Sequence, residues 1–229
     1  MKGTTKSFWG LAARSSLPWV GLICGVMTLF EPILFRLLGW KSVWLDQAVG
    51  ETQLGVFYSV ALVSLGAVFC YGGLLRARND LTLARLRLDR KSRFWVLAGQ
   101  NALCFGILWA WQAVLAVGLS VWWIAGHGDF TGAHSLFTAF YRSEALHGLL
   151  PLGDTLLWVR NLAFLIVMGM VTAKAALSRK EIGPMICCAF AAFLWLVGTN
   201  MAPVEWIEIA LCVIVGWVAR DGGAREPLE

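Results

Sequence analysis

Six apolar stretches divide this chain of 229 residues, and they constrain its fold more than any other feature. A helix needs about 20 mostly apolar residues to cross the hydrocarbon core of a bilayer. The third stretch is long enough to tilt or break, and the last two are short. We expect an all-α fold, with residues 1–229 forming one polytopic integral membrane domain of six transmembrane helices. The predicted spans are Leu17–Leu38, Leu54–Leu75, Phe94–Ile124, Leu156–Ala176, Ile182–Gly198 and Val204–Val218.

The composition argues against a soluble protein. Hydrophobic residues make up 59% of the chain and charged residues only 14%, whereas an average soluble domain is about 25% charged. The 13 Trp residues suit a membrane interface, where the indole ring is apolar and its N–H stays wet. The six cysteines all lie in apolar stretches and form no CxxC pair. They are therefore read as small apolar side chains rather than as disulfide partners or zinc ligands.

The basic residues set the predicted orientation. The segment 76–93, called here the basic cassette, holds seven of the 19 Lys and Arg residues. The N-terminal segment 1–16, the connection after the fourth span and the C-terminal tail are basic too. By the positive-inside rule, both termini and the cassette are predicted to be cytoplasmic, with 1–16 as an interfacial segment. The protein is expected in the cell membrane, and its basic pI reflects these loops rather than nucleic-acid binding.

Two loops are predicted on the outer side, Gly39–Gln53 and the longer segment 125–155. The longer loop mixes aromatic and charged residues. That mixture favours short amphipathic or re-entrant helices on the outer leaflet over a free coil.

The basic cassette is more than a topological signal in composition. Four leucines, at 81, 83, 86 and 88, alternate there with arginines such as Arg85 and Arg87. A short interfacial helix fits this pattern, with guanidinium groups that reach lipid phosphates or carboxylates of a partner. An ordinary loop that only sets topology is the alternative, but such a loop has no need for four leucines.

Three stretches carry a resemblance to a known family. Tyr71–Gln100 resembles the connection between the second and third spans of ABC-2-type transporter permeases, where a charged amphipathic segment couples the membrane subunit to an ATPase. Asn101–Ala113 and Phe140–Leu152 are similar to small Trp-rich permeases of that class. Two features depart from the family pattern. The segment before the first span is short, and the connection between the fifth and sixth spans lacks an extended outer re-entrant element.

The resemblance implies the transmembrane permease subunit of an ATP-driven ABC exporter. It would pair with a second permease, identical or a sister chain, and with a separate ABC ATPase that binds ATP and Mg. The chain itself would bind no cofactor, and it contains no complete P-loop: Gly39–Ser42 lacks the required glycines. The resemblance assigns ATPase coupling to eight residues of the cassette: Asp80, Leu81, Leu83, Arg85, Leu86, Arg87, Leu88 and Asp89.

Charged residues within or near the spans are the next candidates, because they are costly in lipid. Glu31 is predicted to pair with Arg36 or Arg160, and a place in a translocation path or proton relay is the alternative. Glu208, with Glu205, is expected in the interface at the start of the sixth span, near its positive helix end. Four amides are expected to hydrogen-bond between helices: Gln100, Asn101, Gln112 and Asn161.

Two weaker patterns concern dimerisation and metal binding. Gly21 and Gly25 form a GxxxG motif that would permit close helix contact and is a weak candidate for a dimer face. The histidines share the longer outer loop with acidic residues, but their spacing matches no known ligand pattern, so no metal site is predicted.

The chain lacks the motifs of membrane enzymes: no HExxH, no Gly-x-Ser-x-Gly and no paired intramembrane Asp occurs. We therefore do not expect an enzyme. The alternative to the permease is a non-catalytic membrane scaffold or immunity protein that binds a partner through its outer loop. A secondary carrier would need Glu31 to titrate and would be expected to show internal repeats, which are not evident.

Overall fold

The structure is a computed structural model that describes residues 2–75, 89–127, 133–177 and 202–222. Within these ranges all regular structure is helical, as predicted. A short 3₁₀ helix, Gly39–Lys41, follows the first α-helix. The α-helices are α1 (Lys2–Leu38), α2 (Leu45–Thr52), α3 (Leu54–Leu75), α4 (Arg90–Gly126), α5 (Ala133–Arg142), α6 (Glu144–Leu149), α7 (Thr155–Leu177) and α8 (Ala202–Gly222).

Three helical stretches of the described chain are long and apolar enough to cross a membrane: Trp9–Lys41, Lys91–Gly126 and Thr155–Leu177. A fourth is present if α2 and α3, which meet at a bend of 41°, count as one span. These correspond to the first four predicted spans. The predicted fifth span, Ile182–Gly198, lies outside the described residues, and the predicted sixth lies within α8, so the count of six stays a prediction.

The long helices are continuous where the sequence left a break open. The third apolar stretch forms the unbroken 37-residue helix α4, which at 1.5 Å per residue is about 55 Å long and extends past a hydrocarbon core of about 30 Å. The N-terminal segment is likewise continuous with the first span, because α1 runs from Lys2 to Leu38 with Pro18 and Pro32 inside it.

Helix α7 is the centre of the bundle. It packs against α4, α8 and α3, while α1 packs against α4 and α3. Of the apolar window of α7, 61% is buried, against 39% for α4 and 28% for α1. At Gly169 a Cβ atom would lie only 2.6 Å from the carbonyl oxygen of Ala98 and 2.7 Å from Cβ of Ala102. Small residues thus bring the backbones of α4 and α7 almost into contact.

Contacts along the helices give their relative directions. α1 and α4 run parallel, because Gln100 bonds to Ser16 and Trp111 bonds to Thr28. α7 runs antiparallel to α4, because Asn101 near the start of α4 bonds to Thr172 near the end of α7. α8 runs parallel to α7, because Glu208 meets Arg160 and Gly216 lies beside Val167.

The starts of α1 and α4 and the ends of α7 and α8 therefore lie at one end of the bundle. The predicted topology also places these four points together, on the cytoplasmic side.

The two predicted outer loops meet at the opposite end of the bundle, where α2 packs against α5. The short helices predicted in the longer loop are present as α5 and α6. Trp40 joins the ends of α1 and α4, since its ring centroid lies 5.0 Å from that of Trp122 and 5.1 Å from that of His127. The ring nitrogens of His127 lie 2.9 Å from the carbonyl oxygen of Trp123 and 3.1 Å from that of Trp40.

Candidate functional site

Most of the basic cassette cannot be placed, because Asp80 to Leu88 lie outside the described residues. Asp89 is exposed and directly precedes α4. Its carbonyl oxygen accepts a hydrogen bond of 3.0 Å from the backbone N–H of Arg93. The last four residues of the cassette, 90–93, therefore form the first turn of α4.

Glu31 is fully buried, but its predicted pairing with an arginine is wrong. Nε2 of Gln112 on α4 donates to Oε2 of Glu31 at 3.2 Å. Arg36 is exposed, and its guanidinium carbon lies 4.3 Å from the ring centroid of Trp40. Five residues along a helix correspond to a rotation of about 140°, so Glu31 and Arg36 face different sides of α1. The other carboxyl oxygen of Glu31 has no hydrogen-bond partner among the described residues.

Arg160 pairs instead with Glu208. Nη1 of Arg160 lies 3.3 Å from Oε2 of Glu208, and the two side chains are 7% and 11% exposed. Nη2 of Arg160 donates to Oδ1 of Asn161 at 3.3 Å, and Nδ2 of Asn161 donates to the carbonyl of Gly148 at 2.8 Å. The expected interaction of Glu208 with the positive end of its helix is therefore wrong, while its position at the membrane interface stays a prediction. Glu208 lies almost two turns inside α8, too far from the helix start to interact with its free N–H groups, and the guanidinium compensates its burial.

The four amides predicted to link helices all do so. Gln100 donates to Ser16 Oγ at 3.3 Å and Asn101 donates to Thr172 Oγ1 at 3.0 Å, which joins α4 to α1 and α7. Gln112 reaches Glu31 and Asn161 reaches Gly148, as described above. Each bond connects two different helices, which is the usual role of amides in membrane spans.

The predicted dimer motif lies on an open face. Gly21 and Gly25 are exposed, and a Cβ at either would meet nothing within 4 Å. The large apolar side chains Leu22, Val26 and Leu29 are exposed along α1. No other described residue covers this surface, and the dimer role stays a prediction. The close approach of two described helices occurs instead at Gly169, between α4 and α7. Gly169 and Ala173 also form a small-xxx-small pair, which was not among the predicted motifs.

A cavity of about 490 Å³ lies between the two predicted outer loops. It opens where α2 and α3 bend apart at Gln53, a residue with the left-handed φ of 49°. Its polar lining comes from α2, the bend, the junction of α5 with α6, and α7. These residues are Asp46, Gln47, Gln53, Arg142, Ser143, Glu144 and Arg160.

The charges of this cavity, called here the outer cavity, are mostly unpaired. Asp46, Arg142 and Glu144 form no salt bridge with another described residue. Arg160 is 5% exposed, and its Nε has no hydrogen-bond partner in the described chain. The cavity thus combines two carboxylates with two guanidinium groups. Of these four charges, only that of Arg160 is neutralised by a neighbour, Glu208.

A second, much smaller void of about 10 Å³ lies deeper in the bundle and is lined in part by Tyr58 and Gln112. Leu54, Gly55 and Ala145 line both cavities. A Cβ at Gly55 would lie 3.5 Å from Cβ of Ala145. The contact between α3 and α6, called here the partition, therefore separates the outer cavity from the smaller void, which lies beside Gln112 and its partner Glu31.

Among the described residues, no group of three His, Cys, Asp or Glu side chains is placed to hold a metal ion. No family model, curated protein or solved structure matches this chain. The described part is thus an all-helical protein with three or four helices that fit a membrane, a cluster of interhelical polar contacts and a charged cavity at one end.

Proposed function

We propose that the protein is the transmembrane permease subunit of an ATP-driven ABC exporter in the cell membrane, with both termini cytoplasmic. It would act with a second permease subunit and a separate ATPase. The basic cassette would bind the ATPase, and closure of the ATPase would displace the start of α4.

The observation that carries this proposal is the continuity of α4. The helix starts immediately after Asp89 and runs without a break to Gly126. In its first third Gln100 and Asn101 bond to α1 and α7, and at its middle Trp109 donates to the carbonyl of Leu149 at 3.2 Å. A displacement at the cassette would therefore reach α6 and the partition beside the outer cavity through one rigid helix.

The proposal is tested by coupling to an ATPase. The chain is co-expressed with candidate P-loop ATPases chosen from the neighbouring reading frames, and both complex formation and ATPase activity are measured in lipid nanodiscs. We expect the double substitution Arg85→Glu and Arg87→Glu to abolish stimulation of the ATPase. The matched control reverses two charges elsewhere on the predicted cytoplasmic side, Arg179→Glu and Lys180→Glu, and should retain stimulation.

A topology reporter on both variants verifies that the charge reversals leave the orientation unchanged. The proposal fails if no ATPase binds the chain, or if the cassette variant stimulates the ATPase as well as the control does.

A scaffold or immunity protein is the second candidate, and one observation favours it. On α5, beside the outer cavity, Phe137 and Tyr141 are 56% and 61% exposed, and exposed aromatics at a protein end are typical anchors for a partner. Under this hypothesis Phe137→Ala with Tyr141→Ala would abolish the cellular phenotype of the protein, while the cassette variant would retain it.

A further inference from the structure

We propose that the outer cavity binds a small zwitterion, a solute that carries both an ammonium and an anionic group. This site does not depend on the exporter hypothesis, because its ligand would bind the isolated chain without an ATPase. Its volume of about 490 Å³ falls in the range of about 300–1,000 Å³ that small-molecule sites occupy.

The balance of charges around the cavity selects the ligand. Asp46 and Glu144 contribute carboxylates, while Arg142 and Arg160 contribute guanidinium groups. Glu208 compensates the charge of Arg160, so the uncompensated charges of the lining are those of Asp46, Glu144 and Arg142. A ligand with a single charge would be repelled by the lining group or groups of the same sign. A ligand with both charges satisfies each sign at once, and the interaction with the buried Arg160 is strengthened because the local dielectric constant there is lower than in water.

Arg160 makes the anion-binding side a built site rather than a chance cluster. Its guanidinium is held on one edge by Glu208 and by Asn161, which is itself held by the carbonyl of Gly148. Its Nε has no partner among the described residues. A side chain fixed in this way loses little freedom when a ligand binds, which favours affinity. Arg142, exposed at the end of α5, would provide a second contact to the anionic group.

The same ligand chemistry has two sources. One is the ammonium and carboxylate of an amino acid or short peptide on the outer side. The other is the ammonium and phosphate of an ethanolamine lipid head group. Both carry opposite charges a few bonds or residues apart. The experiment below distinguishes the two sources.

The test uses isothermal titration calorimetry to measure binding to the full chain in nanodiscs. The nanodisc lipid is phosphatidylglycerol, whose head group has no ammonium group. Four probes are compared: tri-alanine, its N-acetyl derivative, its C-terminal amide and glycerophosphoethanolamine. We expect tri-alanine or glycerophosphoethanolamine to bind, the first identifying a peptide-like ligand and the second a lipid head group. If tri-alanine binds, each blocked derivative should bind at least about tenfold more weakly, the effect of losing one good charged contact.

Two variants test the assigned charges. Glu144→Gln and Arg142→Gln alter exposed side chains, so neither should disturb folding, and each should weaken binding by about tenfold. Lys41→Gln is the matched control, because Lys41 is exposed at the same end of the bundle but does not line the cavity.

Three outcomes would overturn the proposal. The first is that neither zwitterion binds. The second is that the blocked peptides bind as well as tri-alanine does. The third is that only Arg142→Gln, and not Glu144→Gln, weakens binding, which would indicate a simple anion site.

Discussion

The contact between α4 and α7 at Gly169 gives the sharpest test of the fold. In Gly169→Ala the new methyl group would lie 2.6 Å from the carbonyl oxygen of Ala98 and 2.7 Å from the backbone nitrogen of Ala102. These are backbone atoms of a long helix, so no side-chain rotation relieves the overlap. Ordinary contacts of this kind are 3.4–4 Å, and the two helices would have to separate by about 1 Å locally.

The separation has an estimable cost. Overpacking a tight contact typically costs about 1–3 kcal/mol. The bond between Asn101 and Thr172, 3.0 Å long, would stretch to about 4 Å and break, which adds about 0.6 kcal/mol. Replacing glycine by alanine inside a helix returns up to about 1 kcal/mol. The net expectation is therefore a loss of about 1–3 kcal/mol in the free energy of unfolding.

Gly21→Ala is the matched control, because a Cβ there meets nothing within 4 Å. It should be neutral or slightly stabilising in the isolated chain. Unfolding in mixed micelles with increasing SDS, followed by tryptophan fluorescence, measures both variants. A double-mutant cycle with Asn101→Ala adds a second readout: if the helices have separated, losing the amide costs less in Gly169→Ala than in the wild-type chain. Equal stability of Gly169→Ala and Gly21→Ala would refute the close contact.

The buried polar pairs give two further predictions, both measured by the same unfolding titration. Arg160→Gln should cost about 3–5 kcal/mol, because the buried Glu208 loses the guanidinium that compensates its charge, and adding Glu208→Gln should recover part of that loss; strict additivity would contradict the pairing. Gln112→Leu should cost about 1–3 kcal/mol, since it removes the donor to the buried Glu31. Trp111 lies on the same helix as Gln112, and its bond to Thr28 of α1 is exposed. Trp111→Phe removes that bond and should cost clearly less than Gln112→Leu. An equal cost would argue against the buried bond between Gln112 and Glu31.

The helices were predictable because a membrane span depends on a property that the sequence carries directly, its apolar length. The predicted Leu54–Leu75 coincides with α3, and the predicted third, fourth and sixth spans lie inside helices two to six residues longer, whereas α1 extends 15 residues before the predicted first span. The interhelical amides were predictable for a related reason. An amide side chain in an apolar span has few partners along its own helix, so a neighbouring helix is the expected source.

The identity of the partners was not predictable in the same way. Glu31 was assigned an arginine by proximity in sequence and by matching charge, but the rotation of α1 turns it toward Gln112. The small-residue pattern was equally ambiguous: Gly21 with Gly25 and Gly169 with Ala173 have the same spacing, and only the packed structure shows that Gly169 meets α4. The outer cavity had no local signal, because its lining comes from segments as distant as Asp46 and Arg160.

The distribution of polar contacts argues that α4 and α7 together determine the shape of the outer cavity. Apolar surfaces are as comfortable against lipid as against each other, so they do little to fix how far one membrane helix slides along another. In this chain the register of α4 is held by Gln100, Asn101 and Gln112, and that of α7 by Arg160 and Asn161. The α7 pair also positions α6 and the cavity wall. If the proposed coupling operates, a shift of α4 would reach the outer cavity through these bonds and through the bond of Trp109 to Leu149, and substitutions that remove them should weaken the coupling between the cassette and the cavity.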